Sequence, residues 1–74
     1  MSSSDIERMV NQIADFYKPY PRDEAIKGVA EHITMFWELR MRKELGALLR
    51  AGGGSLSELG LAGARAALGE KADA

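Results

Sequence analysis

The side chains that could carry out chemistry are few in this sequence and are widely spaced. There is no cysteine, and His32 is the only histidine, so a thiolate metal site and a multi-histidine zinc site are excluded. His32 is also the only side chain whose ordinary pKa lies near neutrality, and no partner stands at a spacing that would support acid–base catalysis. We therefore interpret His32 as a boundary residue of a helix that makes an ordinary hydrogen bond.

The carboxylates and glycines also have structural interpretations. Asp23 and Glu24 are adjacent, and neighbouring residues on a helix do not face each other. They suit the first turn of a helix, where the dipole favours negative charge. The three glycines at 52–54 lack the spacing and the lysine of a phosphate-binding loop, and they are typical of a helix stop followed by a turn. The sequence therefore predicts no catalytic, cofactor-binding or metal-binding residue.

Two clusters remain that could bind a partner. The first is aromatic and consists of Phe36 and Trp37 with Phe16, Tyr17 and Tyr20. It either packs in the core or anchors an interface, since tryptophan and tyrosine are enriched at interface hot spots. In an antiparallel hairpin, Phe16 should meet the start of the second helix rather than Trp37. The second cluster is basic and consists of Arg40, Arg42 and Lys43. It forms either a solvated face or a patch that binds an anion or a partner. The predicted partner interface consists of Phe36, Trp37, Arg40, Arg42, Lys43 and Tyr20.

Helical segments must position these residues. Apolar side chains recur at steps of three and four from Ile6 to Tyr17 and again from Ile26 to Trp37, which predicts two amphipathic helices. The prolines at 19 and 21 separate them, and so short a connector favours an antiparallel hairpin. We predict an all-α fold with a helical hairpin at about 4–17 and 21–37, a third helix at about 39–50 and a short fourth helix at about 56–68.

The ends of these helices carry further signals. Ser4 with Glu7, and Ser55 with Glu58, have the spacing of capping boxes at the starts of the first and fourth helices. Gly60 and Gly63 weaken the prediction of the fourth helix, because glycine lowers helix propensity. Whether the chain breaks between the second and third helices, at 37–39, stays open at this level.

Length and composition bound the class of protein. A length of 74 residues predicts one small helical domain over 1–74, with frayed ends at 1–3 and 70–74. The formal net charge of −1 lacks the basic excess that is typical of a nucleic-acid-binding protein. It has no signal-peptide pattern and no apolar run of about 18 residues, so we expect a cytoplasmic protein with no membrane partner. A domain of this size is marginally stable and commonly relies on a partner.

Four blocks of sequence carry a family resemblance. They are the runs 8–16 and 28–33, the pair Phe36-Trp37 and the triplet 40–42, and the resemblance that they carry covers roughly residues 5–54. In this order they resemble the delta subunit of soluble NAD-dependent formate dehydrogenases of the molybdenum or tungsten type. Family members commonly have an aspartate–proline pair before the basic triplet, which would start a separate third helix. This sequence has Glu38-Leu39 instead.

The resemblance implies a non-catalytic accessory subunit of a cytoplasmic complex that oxidises formate to carbon dioxide and reduces NAD⁺. Such a subunit would bind the large catalytic subunit and support its assembly, cofactor insertion or stability. The other subunits would carry a molybdenum or tungsten pterin, iron–sulfur clusters and FMN, and would bind NAD. One alternative is a free-standing helical adaptor that self-associates through its aromatic stripe. Another is a nucleic-acid-binding module that uses Arg40, Arg42 and Lys43.

Overall fold

The computed structural model of the chain describes residues 2–69, and all regular secondary structure in this range is helical. Met1 and the predicted frayed end at 70–74 lie outside the described residues. The prediction of an all-α fold with four helices is confirmed. The helices are α1 (Ser3–Tyr17), α2 (Arg22–Phe36), α3 (Leu39–Arg50) and α4 (Glu58–Ala67).

The core forms where the apolar stripes of the helices meet. The largest fully buried side chains are Ile6 and Val10 of α1, Val29 and Ile33 of α2, and Leu45 of α3. They stand at the three- and four-residue steps that predicted the stripes, because one face of a helix repeats at that spacing. Within residues 2–69 no polar or charged residue is fully buried, so apolar packing accounts for the interior.

The closest helix pair is α2 with α4, although the predicted hairpin pairs α1 with α2. A Cβ atom on Gly63 would lie 2.4 Å from Cγ1 of Val29 and 2.5 Å from its Cβ. Because glycine has no such atom, the backbone of α4 can approach α2 closely. Gly63, which weakens the helix prediction when propensity alone is considered, is therefore a packing position of the fold.

The predicted cap of α1 is wrong. Ser2 rather than Ser4 is the N-cap residue, and it forms the capping box with Asp5. The Asp5 amide donates to the Ser2 hydroxyl oxygen at 3.3 Å, and the Ser2 amide donates to Asp5 Oδ2 at 3.4 Å. Glu7, the predicted capping carboxylate, instead accepts a hydrogen bond from the Ser55 amide at 3.0 Å. Its carboxylate therefore ties α1 to the loop before α4.

The predicted cap of α4 is wrong in the same way. Ser57, not Ser55, is the N-cap residue, and its hydroxyl oxygen accepts from the Gly60 amide at 3.1 Å. Asn11 of α1 holds this segment, since its Oδ1 accepts from the Ser57 amide at 2.8 Å and its Nδ2 donates to the Ser55 carbonyl at 3.0 Å. A long-range contact with α1 thus supports the start of α4 at Ser57.

We predict that Ser57→Ala lowers the free energy of unfolding by about 1 kcal/mol, because an orphan amide at the start of α4 loses its acceptor. Ser55→Ala is the matched control, since the hydroxyl of Ser55 makes no hydrogen bond among the described residues. Urea unfolding of both variants measures the difference. Equal destabilisation by the two substitutions would contradict the assignment of Ser57 as the cap.

The chain breaks between α2 and α3, which answers the question left open by the sequence. Trp37 and Glu38 are extended, with φ/ψ of −91°/134° and −75°/166°, and α3 starts at Leu39. Trp37 is only 6% exposed and belongs to the core cluster. The break therefore forms without an aspartate–proline pair, at the point where the Trp37 side chain is buried in the core.

Candidate functional site

The histidine and the carboxylates of the described residues do not gather into a candidate metal site. No group of three or more histidine, cysteine, aspartate or glutamate side chains within residues 2–69 could hold a metal ion. His32 is half-buried, and its ring centroid lies 4.9 Å from that of Phe36. In the described part of the chain His32 makes this aromatic contact rather than the predicted hydrogen bond.

An open groove of about 460 Å³ runs between α1 and the C-terminal half of α2, and we call it the aromatic groove. Trp37 lines it from the core, whereas Phe16 is 67% exposed. Phe36, which contacts His32, is 70% exposed. The tertiary structure thus brings Phe16 and Trp37 to one groove, which the hairpin topology did not predict. The groove is lined by Met9, Gln12, Ile13, Phe16, Tyr17, His32 and Trp37.

Tyr20 extends this aromatic surface beyond the end of α1. Its ring centroid lies 5.4 Å from that of Tyr17 and 6.5 Å from that of Phe16, and Phe16 and Tyr17 meet edge to face at 5.0 Å. Gly28 of α2 makes room for Tyr17, because a Cβ atom there would lie 2.4 Å from Cε1 of the tyrosine ring. The aromatic residues at the end of α1 therefore form a continuous cluster that is partly exposed.

A second open groove, of about 670 Å³, lies between α3 and the end of α4, and we call it the basic groove. Two of the predicted interface residues, Arg42 and Lys43, line it. Arg40 does not, and its Nε lies 3.7 Å from a carboxylate oxygen of Glu38. The lining residues are Leu39, Arg42, Lys43, Gly46, Arg50, Ala67 and Leu68.

The six predicted interface residues therefore fall on different surfaces. Trp37 lines the aromatic groove, and Phe36 and Tyr20 contact residues that line it. Arg42 and Lys43 line the basic groove. Sequence reasoning missed Arg50, although it stands seven residues after Lys43 and hence on the same face of a helix. It also missed Leu68, and no local signal could have revealed that residue, because it reaches α3 only through the packing of α4.

One ion pair stands apart from both grooves. Arg22, the first residue of α2, binds Glu58, the first residue of α4, with Nη1 at 2.6 Å from Oε1 and a second bond from Nη2 to Oε2. The hydrogen bond from Arg22 holds the pKa of Glu58 below its ordinary value of 4.5, and the same bond raises the pKa of Arg22. The pair joins the starts of the two most closely packed helices.

We predict that Glu58→Gln lowers the melting temperature at neutral pH and that this difference disappears in acid. Because the folded-state pKa of Glu58 lies below its unfolded value, the pair stabilises the fold above about pH 4.5 and loses that effect as the pH falls through the folded pKa. Thermal unfolding of both proteins at about pH 7 and pH 2.5 makes the comparison. A difference in melting temperature that persists in acid would contradict this linkage.

A protein-family model matches most of the chain. A family model described as NADH-dependent formate dehydrogenase delta subunit FdsD matches residues 6–64 of the 74-residue chain. The chain belongs to this family. The resemblance seen in the sequence is confirmed, and the match extends past it into α4 of this delta-subunit fold. No curated protein and no solved structure gives a significant match.

Membership of the delta-subunit family assigns the chain to an NAD-dependent formate dehydrogenase. The matched residues include all of α2 and α3, most of α1, and Gly63 of α4, which packs on Val29. It therefore includes part of every helix that contributes to the core and all of the aromatic groove. None of the helices within residues 2–69 has the length and apolar character needed to cross a bilayer.

Proposed function

We propose that the chain is a non-catalytic accessory subunit that binds the large catalytic subunit of formate dehydrogenase and supports its assembly, cofactor insertion or stability. The observation that carries this proposal is the set of large apolar side chains left outside the core. Met35, Phe36, Phe16 and Leu39 are each at least 60% exposed, although the chain already encloses a core of its own. Phe16 and Leu39 line the aromatic and the basic groove, and apolar surface in an open groove is typical of interaction sites.

The groups with shifted pKa values are surface residues in a helix cap or an ion pair. Here the shifted groups among the described residues are Asp5, Arg22 and Glu58, all at the surface. Hydrogen bonds from the Ser2 backbone and from Arg8 lower the pKa of Asp5, and the Arg22–Glu58 pair explains the other two shifts. Each shift thus has a structural cause.

In this proposal the redox chemistry takes place elsewhere in a cytoplasmic complex. The molybdenum or tungsten pterin, the iron–sulfur clusters and FMN belong to the other subunits, where formate is oxidised and NAD⁺ is reduced. The delta subunit contributes contact surface to the large catalytic subunit. The proposed contact includes Phe36 and Tyr20 directly, whereas the buried Trp37 supports it from the core.

We predict that Phe36→Ala weakens co-purification with the tagged large subunit by about tenfold or more, because exposed aromatic anchors dominate interface energies. Phe36 is 70% exposed, so this substitution should leave the fold intact. Trp37→Ala is unsuitable for this purpose, since loss of a core side chain would unfold the chain and weaken binding for that reason alone. Circular dichroism checks that the Phe36 variant is folded, and undiminished co-purification would contradict its role.

The wider test is to purify active formate dehydrogenase from cells with and without the gene for this chain. The proposal expects the chain in the complex, and a lower yield of assembled, cofactor-loaded enzyme without it. A preparation that is fully active and lacks the chain would contradict the proposal. Sedimentation of the isolated chain separates the adaptor alternative, which requires a stable homodimer.

A further inference from the structure

We propose that the basic groove binds an acidic, partly apolar segment of the partner subunit. This inference rests on the proposed function, because it names the chemistry by which the accessory subunit is held. The inference concerns the basic groove alone, because the aromatic groove shows no charge pattern that would identify its occupant. The basic groove carries both charge and apolar surface, and so its occupant can be specified.

The groove places aliphatic side chains and cations side by side. Its wall from α3 supplies Arg42, Lys43 and Arg50, and the end of α4 supplies Leu68. A Cβ atom on Gly46 would lie 3.4 Å from Nη1 of Arg50 and 3.7 Å from Cδ1 of Leu68. A guanidinium group and an aliphatic side chain therefore meet over the same glycine. A segment that fits must present a carboxylate next to an apolar side chain.

The cations of the groove are not neutralised by the described residues. The ion pairs within residues 2–69 join Arg8 to Asp5, Arg22 to Glu58 and Arg40 to Glu38, and none includes a cation of the groove. Helix α3 carries four cations and a single carboxylate, whereas the whole chain has a net charge of −1. Positive charge is thus concentrated on α3, where it complements the carboxylates of a partner.

The helix dipole favours Arg50 in the last turn of α3, but the stability of the fold does not account for the cations near the start of this helix. The first turn of α3 contains Arg40 and no acidic residue, and Glu38 at the N-cap makes no capping hydrogen bond. The helix dipole disfavours cations at this end. Nε of Arg42 is buried without a hydrogen-bond partner among the described residues, which shows that this side chain packs against the protein. A side chain held in this way loses less conformational entropy when it binds a carboxylate.

A protein segment fits the groove better than a nucleic acid does. Leu39, which is 60% exposed, and Leu68 offer aliphatic surface that phosphates cannot use. The lining residues include no aromatic side chain on which a base could stack. The net charge of −1 also opposes binding to a polyanion.

The test uses the full chain and purified formate dehydrogenase prepared without it, with affinity measured over a range of salt concentrations. The groove variant is Lys43→Glu with Arg50→Glu. The control variant is Lys27→Glu with Arg8→Glu, which makes the same change in net charge on α2 and α1. All four substituted residues are exposed, and the exposed Arg8–Asp5 ion pair contributes little to stability, so both double variants should melt close to the parent chain.

We expect the groove variant to bind at least about tenfold more weakly and the control to change by less than about threefold. The affinity of the parent chain should fall as salt rises, and that of the groove variant should fall less steeply. Leu39→Ala, which leaves the charge unchanged, should weaken binding by about threefold to tenfold, as expected for the loss of an apolar contact at an interface.

Other outcomes overturn the inference. Equal affinities for the groove and control variants would remove the groove from the interface and leave the accessory-subunit proposal standing. Unchanged affinity of Leu39→Ala would remove the apolar part of the proposed ligand. If the parent chain does not bind the enzyme at all, the proposed function fails and the groove assignment fails with it. Tighter binding of a short DNA duplex, lost in the groove variant, would identify a nucleic-acid site instead.

Discussion

Leu45→Ala is expected to lower the free energy of unfolding by about 2–5 kcal/mol, which is a large share of the stability that so small a domain can have. Leu45 is fully buried in the core cluster that all four helices share. Truncation removes its apolar contacts and leaves a cavity that the surrounding side chains can fill only in part. Urea unfolding at neutral pH measures the loss.

Leu39→Ala is the matched control, because it makes the same change in the same helix at a residue that is 60% exposed. We expect this variant to stay within about 0.5 kcal/mol of the parent chain, as surface substitutions usually do. Comparison of these two variants also separates an effect on folding from an effect on binding. Leu39→Ala should weaken binding without loss of stability, whereas Leu45→Ala should weaken binding only to the extent that it unfolds the chain. Similar stabilities of the two variants would show that α3 does not pack as described.

Gly63→Ala is expected to destabilise the fold by about 1–3 kcal/mol, although alanine favours helix more than glycine does. The added methyl carbon would overlap the side chain of Val29, which is itself fully buried and cannot move aside freely. The two most closely packed helices, α2 and α4, would then have to separate. A lower melting temperature with retained helical content is the expected signature.

Gly46→Ala makes the same chemical change in the middle of α3 and serves as its control. The new atom would meet the flexible end of Arg50 at 3.4 Å and Leu68 at 3.7 Å, which are contacts that require little adjustment. We expect it to stabilise the chain by up to about 1 kcal/mol, because alanine replaces a helical glycine. If both glycine variants stabilised the chain, the close approach of α2 and α4 would be wrong.

Family membership comes from the matched residues 6–64, and it names the enzyme to which the chain belongs. The exposed aromatic and basic surfaces come from the fold, and they show which residues are available to a partner. Of the predicted interface residues, Trp37 is the one that the fold buries. A substitution of Trp37 would change folding as well as binding, so the interface has to be tested at exposed neighbours such as Phe36.

The four helices and the apolar stripes that form the core could be predicted from local sequence patterns. The stripes from Ile6 to Tyr17 and from Ile26 to Trp37 are local patterns, and a local pattern suffices because helix periodicity repeats within a few residues. The family resemblance likewise depended on short ordered blocks. The lack of cysteine and the single histidine are matters of composition, and they alone exclude a thiolate or multi-histidine metal site.

How these helices begin, pair and expose their side chains depends on contacts between distant parts of the chain. Ser57 rather than Ser55 caps α4 in a segment that Asn11 holds from a distant helix, and Gly63 proved to be a packing position because Val29 lies against it. Burial of Trp37 and the meeting of Arg50 with Leu68 depend on the same long-range packing. Contacts between residues far apart in sequence have no local signature, and so these features became visible only in the folded chain.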